Sequence, residues 1–305
     1  MHASLSPESP MANAKSADRP LVSVGIPVFN GELFLREAID SILAQSHSNL
    51  ELIISDNAST DRTSAIGEEY AMRDPRVRYL RQPRNIGAPR NWNVVATHAR
   101  GKYMKWASAN DYCDTAMLAA CIDVLESDPR VVLCYGATRL VDELTGAVQP
   151  FDGDFSITEE QPSGRLSGLL ARMRLNNAMS GLIRMEVLRK TGLDRPYPGG
   201  DLVLMAELAM AGKFVLLPHP FLYRRIGGRT FSGLLADKEL KQFFDPQASF
   251  GLGLNRLRLY IDFFSSVMRA SMSLREKGRA LTRVARSAYW DFTVRRPRPA
   301  SSVPR

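Results

Sequence analysis

The sequence predicts an α/β fold with a doubly wound, mostly parallel sheet flanked by helices. The first indication is a pair of short apolar, β-branched runs, LVSVGIPVFNG from Leu21 and LELIISDNASTD from Leu50. Each run has the length of a strand, stops at polar residues (Asn30 in the first, Asp56 in the second) and is followed by a helical pattern. Because neighbouring parallel strands end at the same edge of a sheet, the two polar tips are expected to form a ligand pocket.

The alternation of strands and helices continues along the chain. Further strands are predicted over 181–184 and at four runs, namely VRYLRQ from Val77, KYMKWASAND from Lys102, VVLCYG from Val131 and KFVLLP from Lys213. Helical patterns cover 89–99, 114–126, 166–175 and 202–211. Strands that alternate with helices of this length are typical of a mostly parallel sheet with helices on both faces.

The last part of the chain differs from this alternation. From about residue 247 to 292 the pattern is purely helical, and four apolar residues fall broadly on one face, namely Leu252, Leu257, Ile261 and Val267. We therefore expect a core domain over 20–235 and a C-terminal helical extension over 236–294. A disordered leader over 1–19 and a disordered basic tail over 295–305 complete the predicted organisation.

The composition fits a soluble globular protein of the cytoplasm. Hydrophobic residues make up 45% of the 305 residues and charged residues 24%. No run approaches the roughly 20 apolar residues of a membrane span, and the N-terminal segment lacks the apolar core of a signal peptide. The three cysteines have no metal-ligand spacing and are too few for a disulfide framework, which fits a reducing compartment.

The net charge of +8 is unevenly distributed. Six arginines lie between Arg283 and Arg305, against a single acidic residue, Asp291. Two interpretations are open: a solvated helix end with a loose tail, or a patch that contacts anionic lipid at the inner face of the membrane or a phosphorylated acceptor. Nucleic acid is not expected as a partner, because no known binding motif accompanies the charge.

The stretch VSVGIPVFNGELFLREAIDSILAQSHSNLELIISDNASTD and the later RNIG turn resemble the inverting glycosyltransferase family 2, which has a GT-A type fold. The resemblance extends from about residue 21 to 228, roughly two thirds of the chain. It implies transfer of a sugar from a nucleotide-diphosphate sugar, above all a UDP-sugar, to a glycan or lipid-linked acceptor of the cell envelope. A divalent cation, Mg²⁺ or Mn²⁺, is the usual cofactor of such enzymes.

The resemblance also implies which residues bind the donor. They are Pro27, Phe29, Asn30, Asp56, Asn85, Gly87, Arg90, Asn110 and Arg224. The first three would hold the nucleobase, and Asp56 the base or ribose, from a strand tip that we expect to be exposed and outside the core. Without the resemblance, a strand-end Phe, a turn Asn and a solvent-facing helix start would equally explain several of these residues.

The implied metal site departs from the family pattern. Members usually carry an acidic D-x-D-D cluster after the fourth strand, whereas this chain has Ser108-Ala109-Asn110-Asp111. One carboxylate, Asp111, and one amide, Asn110, thus stand at the implied ligand positions. Since an amide oxygen brings no charge, we expect weak affinity for a free cation, with the donor diphosphate supplying most of the negative charge.

The implied catalytic base is Asp201, in the segment PYPGGDLVLMAELAMAGKFVLLP. A carboxylate at this position would take the proton of the acceptor hydroxyl; a plain helix cap is the alternative, and Glu207 is expected to be structural. In FLYRRIGG, Arg224 matches a family arginine, but Ile226 stands where histidine is common. Arg225 is one candidate to supply the missing charge, and Arg229 is the other.

Two other classes of function stay open at the level of sequence. One is a catalytically silent nucleotide-sugar-binding module that kept the fold and lost its metal carboxylates. The other is a nucleotidyltransferase, which would need a Gly-rich loop with a basic residue near the first strand. The segment GIPVFNG is not such a loop.

Overall fold

The central sheet contains nine strands within the part of the chain that the computed structural model describes, residues 19–227, 243–247 and 255–293. The strands are β1 (Val22–Val28), β2 (Leu50–Asp56), β3 (Val77–Arg81), β4 (Tyr103–Trp106), β5 (Tyr112–Cys113), β6 (Val131–Asp142), β7 (Val148–Pro150), β8 (Leu182–Arg184) and β9 (Lys213–Ile226). The predicted leader, the predicted basic tail, Arg229 and Leu252 lie outside the described residues, apart from residue 19.

Helices connect and cover these strands. They are α1 (Leu35–Leu43), α2 (Thr63–Arg73), α3 (Ala88–His98), α4 (Met117–Ser127), α5 (Pro162–Arg172), α6 (Met185–Leu188), α7 (Gly200–Ala211), α8 (Asn255–Arg269) and α9 (Leu274–Thr293), with a 3₁₀ helix at Asn177–Ser180. None of the described helices is both long and apolar enough to cross a membrane.

The strand order is β3-β2-β1-β4-β8-β6-β9-β5, with β7 added on β6. The first four strands of this order are parallel, as are β6 and β9, whereas β8 runs antiparallel between β4 and β6. Helices lie on both faces: α1, α2 and α4 pack into one apolar core, and α3, α5 and α7 to α9 pack into the other. The predicted α/β fold with its doubly wound, mostly parallel sheet is therefore confirmed.

The register of β1 and β2 explains where the candidate site lies. Val22 pairs with Leu50 and Val28 with Asp56, so the two strands start and stop level with each other. Every residue of both strands is buried, as expected for the centre of a parallel sheet covered on both faces. The polar residues that follow are consequently brought to one edge.

The helical extension is confirmed for the described residues, but only part of its predicted apolar face packs against the core. Val267 of α8 is fully buried, together with Phe263. Leu257 and Ile261, which were expected on the same face as Val267, are 52% and 53% exposed. At 100° per residue they lie on the opposite side of the helix from Phe263, because α8 carries two apolar faces and the sequence does not indicate which one packs.

Candidate functional site

The tips of β1 and β2 are joined by hydrogen bonds. The Asn57 amide donates to the Val28 carbonyl over 2.8 Å, and the Asn30 amide donates to Ser59 Oγ over 2.9 Å. Asn30 has a left-handed backbone, φ 53°, and its Oδ1 accepts a hydrogen bond from the Thr60 amide at 2.9 Å. An Asn tolerates this conformation better than most residues, which fits its position in the turn.

The predicted residues of the first tip differ in accessibility. Phe29 is 44% exposed and Asn30 is also exposed, so both side chains can meet a ligand. Pro27 is buried within β1, opposite Ser55 of β2. Pro27 therefore belongs to the packed part of the sheet below the tip.

Asp56 is fully buried, and the expectation that it lies exposed outside the core is wrong. Its Oδ1 accepts a hydrogen bond from the Ser59 amide at 2.8 Å. Its Oδ2 accepts one from the Tyr79 hydroxyl at 2.6 Å and one from Arg81 Nη1 at 3.0 Å. The alternation of β3 places Tyr79 and Arg81 on the same side as Asp56, which makes this carboxylate the centre of a polar network.

The turn after β3 is fastened to the same edge. Asn57 donates to Asn85 Oδ1 over 2.9 Å, and the Gly87 amide donates to that same oxygen over 2.9 Å. Gly87 has φ +86°, and a Cβ there would lie 2.5 Å from the Phe244 carbonyl oxygen, so only glycine fits. Arg90 forms a two-pronged ion pair with Asp245, at 2.8 and 3.0 Å.

The loop after β4 lies beside the first tip, since a Cβ on Gly31 would be 3.5 Å from the Ala109 Cβ. In this loop Asp111 accepts a hydrogen bond from the Arg225 amide at 2.9 Å. The guanidinium of Arg225 donates to the Asn110 carbonyl and to Glu37, and lies over the rings of Phe34 and Tyr112. Arg225 thus fixes the loop that replaces the acidic cluster.

The charges around Asp111 bear on metal binding. Burial raises the pKa of this carboxyl, while the Arg225 amide and the charges of Arg224, Arg225 and Lys105 oppose that rise. Lys105 is fully buried beneath the loop and donates to the Ser180 carbonyl. Burial also lowers the pKa of Lys105, so Arg224 and Arg225 are the main cations beside this carboxylate. These two guanidinium groups leave little net negative charge for a divalent cation.

A preformed metal site is not assembled in the described part of the chain. No group of three or more His, Cys, Asp or Glu side chains there could hold a metal ion. Asp111 and Asn110 provide one carboxylate, which already accepts a hydrogen bond, and one amide. This donor set fits a free divalent cation poorly, because hard cations prefer several anionic oxygens.

Asp201 and Arg224 are linked through the short 3₁₀ helix. Asn176 donates from Nδ2 to Asp201 Oδ2 over 2.8 Å. Its neighbour Asn177 accepts a hydrogen bond from Arg224 Nη1 at 2.7 Å. Asp201 lies in the first turn of α7, where the helix dipole favours an anion. One short segment therefore positions both the predicted base and the predicted phosphate-binding cation.

A second carboxyl lies near Asp201. Burial and the negative charge of Asp201 raise the pKa of Asp194 to about 8, against the opposing effect of Arg195. The Oδ1 atom of Asp194 is buried and has no hydrogen-bond partner in the described structure. At neutral pH Asp194 therefore holds its proton.

Glu207 is structural, as expected. It accepts hydrogen bonds from the Gly192 amide at 2.7 Å, from Arg195 at 2.7 Å and from Ser266 at 2.6 Å. The bond to Ser266 joins α7 to α8, so this carboxylate fastens the helical extension to the core.

Several participating residues were not identified from the sequence. Those that support the predicted residues are Tyr79, Arg81, Lys105, Asn176, Asn177 and Asp194. The arginine at the end of β3 was a usable signal, because parallel pairing puts it beside the Asp of β2. The remaining residues lie far from their partners along the chain, and only the fold brings them together.

The fold and the site define an α/β protein of the GT-A type with a cluster of polar side chains at the carboxyl edge of its sheet. Residues 23–167, somewhat less than half of the chain, match the sequence model of the family described as glycosyl transferase family 2. An uncharacterised glycosyltransferase of Rickettsia prowazekii is 35% identical over 175 residues, which are 57% of this chain and 53% of that protein. The chain spans about half or less of the length of the curated relatives it matches.

Solved structures with low sequence identity share the fold. S. aureus TarS 1–349, in complex with UDP-GlcNAc, superposes with a TM-score of 0.60 at 15% identity, covering 90% of this chain and 76% of that one. The mannosyltransferase PcManGT from Pyrobaculum calidifontis, in complex with GDP-Man and Mn²⁺, gives a TM-score of 0.53 at 16% identity, covering 92% of this chain and 78% of that one. Both likenesses extend beyond the 23–167 segment.

Proposed function

We propose that the protein is an inverting glycosyltransferase that moves a sugar from a nucleotide-diphosphate sugar to a hydroxyl of a glycan or lipid-linked acceptor. A UDP-sugar is the first candidate for the donor. The observation that carries the proposal is a pair of hydrogen bonds at neighbouring asparagines: Asn176 donates to Asp201, and Asn177 accepts from Arg224. One short segment thus holds a carboxylate, which can take the proton of the acceptor hydroxyl, and a guanidinium, which can offset the charge of the departing diphosphate.

The reaction follows from these two charges. Asp201 accepts the proton of the acceptor hydroxyl as its oxygen attacks the anomeric carbon from the face opposite the leaving group. The bond between the anomeric carbon and the phosphate oxygen breaks, and the nucleoside diphosphate leaves with the electron pair. The new carbon–oxygen bond therefore has inverted configuration. Because Asp201 lies at a helix N-terminus, its anion is stabilised, and proton transfer is concerted with attack.

The donor would lie along the carboxyl edge of the sheet. The nucleobase and ribose are assigned to the tips of β1 and β2, where Phe29 can stack on the base and Asn30 can bond its edge. Asn85, Gly87 and Arg90 would flank the phosphates and the sugar. Arg224 would offset the charge that develops on the diphosphate. The UDP-GlcNAc and GDP-Man complexes of similarly folded proteins support a donor of this class.

The proposal includes no step through a metal ion. Mn²⁺ is present with a mannosyltransferase of similar fold, and members of the family commonly use such ions. In this chain the described ligands near Asp111 fit a free cation poorly, and cationic side chains occupy its surroundings. We place the reaction in the cytoplasm, in the assembly of cell-envelope glycans.

The test is nucleoside diphosphate release from a panel of UDP-Glc, UDP-GlcNAc and GDP-Man. The wild-type protein should release one of the diphosphates, and Asp201→Asn should release it far more slowly. Asp123→Asn, on the exposed side of α4, is the matched control and should keep full activity. Tight binding of a donor with no turnover in the wild type would instead identify a silent binding module.

A further inference from the structure

Helix α8 carries an apolar stripe that faces away from the protein. Its residues follow each other at intervals of four, three and four, namely Leu257, Ile261, Phe264 and Met268, and are 52%, 53%, 52% and 46% exposed. This spacing puts all four on one side of the helix. Large side chains that are half exposed in helical register form a contiguous patch, which is uncommon on a protein surface without a partner.

The other side of α8 is already occupied. Phe263 and Val267 are buried against the core, Tyr197 donates a hydrogen bond to Asp262, and Ser266 donates to Glu207 over 2.6 Å. These contacts fix the rotation of the helix about its axis. The stripe cannot turn inward without breaking them, so its exposure is a property of the docked helix.

Basic side chains border the stripe, while the nearby acidic groups are engaged. Exposed arginines lie on α8 and α9, namely Arg256, Arg258, Arg269, Arg275, Arg279 and Arg286. Arg269 contacts Glu207, and Arg279 contacts Glu276. Of the two acidic residues within 255–289, Asp262 accepts a hydrogen bond from Tyr197, and Glu276 is buried and accepts one from Ser163 at 2.6 Å. The outward charge of the pair of helices is thus positive.

We propose that the outer face of α8 docks on an anionic phospholipid bilayer, with the stripe in the interface and the arginines among the headgroups. An apolar face bordered by cations is what binds a helix parallel to a charged bilayer without crossing it. An acidic protein partner would match the charge, but a straight stripe of four side chains on a convex helix offers it no pocket. A flat, fluid surface needs none.

The location of α8 ties this surface to the candidate reaction. A Cβ on Gly199 would lie 3.4 Å from Leu259, so the first half of α8 contacts the turn that leads into Asp201. Leu259 lies on the opposite side of α8 from the stripe, so a bilayer against the stripe would be separated from that turn by the diameter of one helix, about 10 Å. Taken together with the proposed function, on which this step rests, docking of α8 on a bilayer assigns the acceptor to the lipid-linked class. The glycan of such an acceptor would reach Asp201 from the membrane.

The experiment measures binding of the full-length protein to vesicles containing phosphatidylglycerol or only phosphatidylcholine. The wild type should co-sediment with the anionic vesicles and be released by salt. I261S/F264S should weaken that binding by about tenfold or more, because two apolar side chains no longer enter the interface. M72S/L144S removes two apolar side chains that are 82% and 83% exposed elsewhere, and should bind as the wild type does.

Sedimentation velocity without lipid and nucleoside diphosphate release are measured on the same three proteins. Unchanged vesicle binding in I261S/F264S overturns the proposal, as does a wild-type dimer that this variant converts to monomer, since the stripe would then join two copies. Vesicle binding that depends on the stripe, in a protein that releases no diphosphate, would support the surface and reject the enzyme. The two proposals can therefore fail separately.

Discussion

The position of Asp56 at the edge of the sheet was predictable from the sequence, but its surroundings were not. Its position after a buried strand indicated a ligand-facing tip, and parallel pairing did bring it to the expected edge. Its full burial depends on Tyr79 and Arg81, which come from the next strand. A sequence pattern indicates at which edge of the sheet a strand ends, but not which residues of other strands cover that end.

The Asp56 network predicts a loss of stability in Asp56→Ala. The Tyr79 hydroxyl, the Ser59 amide and the Arg81 guanidinium would all lose an acceptor. Ser59 is buried and Tyr79 partly buried, whereas Arg81 is exposed and can turn to water. Leaving the first two donors unpaired should lower the melting temperature by roughly 4 °C or more. Differential scanning calorimetry measures this, with Asp123→Ala as an exposed control. An unchanged melting temperature would mean that the network contributes little, and UDP affinity should be measured on the same samples.

Asp201→Asn is expected to separate catalysis from binding. The amide is nearly isosteric and can keep the contact with Asn176, but it cannot take the acceptor proton. Turnover should fall by about 10² to 10⁴, the usual contribution of a general base. UDP affinity, measured by calorimetry, should stay near that of the wild type. A variant that transfers sugar at the normal rate would reduce Asp201 to a helix cap.

Asp194 predicts a pH dependence of stability. Its pKa rises from 3.8 to about 8 in the folded protein, owing to burial and Asp201, while Arg195 opposes the rise and Tyr197 lies close by. The folded state therefore keeps a proton that the unfolded state releases, and the resulting stability is complete below about pH 4 and declines up to about pH 8. Asp194→Asn should lose less stability than the wild type between pH 5 and pH 8. Urea titrations of the wild type and the variant at both pH values measure these losses of stability. Equal losses in the two proteins would show that the carboxyl of Asp194 is ionised in the folded state.

Elements were predictable where periodicity is strong. The strands with continuous apolar runs begin within a few residues of the predicted starts, but β6 and β9 continue to Asp142 and Ile226, well beyond the predicted runs VVLCYG and KFVLLP. The short strands β5 and β7 carry too few residues for a pattern, and their pairing with β9 and β6 is set by neighbours distant in sequence. For α8 the helical period was right, but the sequence does not indicate that Leu257 and Ile261 stay exposed while Val267 packs, since only tertiary contacts decide between two apolar faces.

One carboxylate, Glu207, adds a hydrogen bond between α7 and α8 to their apolar packing, which gives a prediction for these elements. Glu207→Ala removes the acceptor of Ser266 on α8 and of Arg195 in the preceding loop. Amide hydrogen exchange in α8 should accelerate, because the helix opens locally before the core does. Glu186→Ala, on the exposed side of α6, is the control. Equal exchange in both variants would show that apolar packing alone holds the helix.

At the scale of the molecule, the candidate site is assembled from both halves of the sheet. The 23–167 segment provides the tips of β1 and β2 and the loop of Asp111, whereas Asp201 and the two arginines of β9 come from beyond it. The sequence could identify each piece by resemblance. It could not indicate that Arg225 would bond Asp111 and clamp the loop, since that contact joins positions 114 residues apart.

The balance of charge across this assembly predicts how metal binding depends on the donor. Asp111 is one carboxylate among Arg224, Arg225 and Lys105, so the protein alone offers a divalent ion little attraction. A bound UDP adds the missing negative charge. Titration calorimetry with Mn²⁺ should therefore show weak or no binding to the free protein and clear binding in the presence of UDP.

Two variants identify the source of this behaviour. Asp111→Asn removes the single carboxylate and should weaken Mn²⁺ binding to the UDP complex, whereas Asp123→Asn should leave it unchanged. Tight Mn²⁺ binding to the protein without UDP would contradict the charge argument, because it would require anionic ligands beyond Asp111. Sugar transfer that continues at full rate in excess EDTA would show that the arginines around Asp111 suffice to stabilise the departing diphosphate.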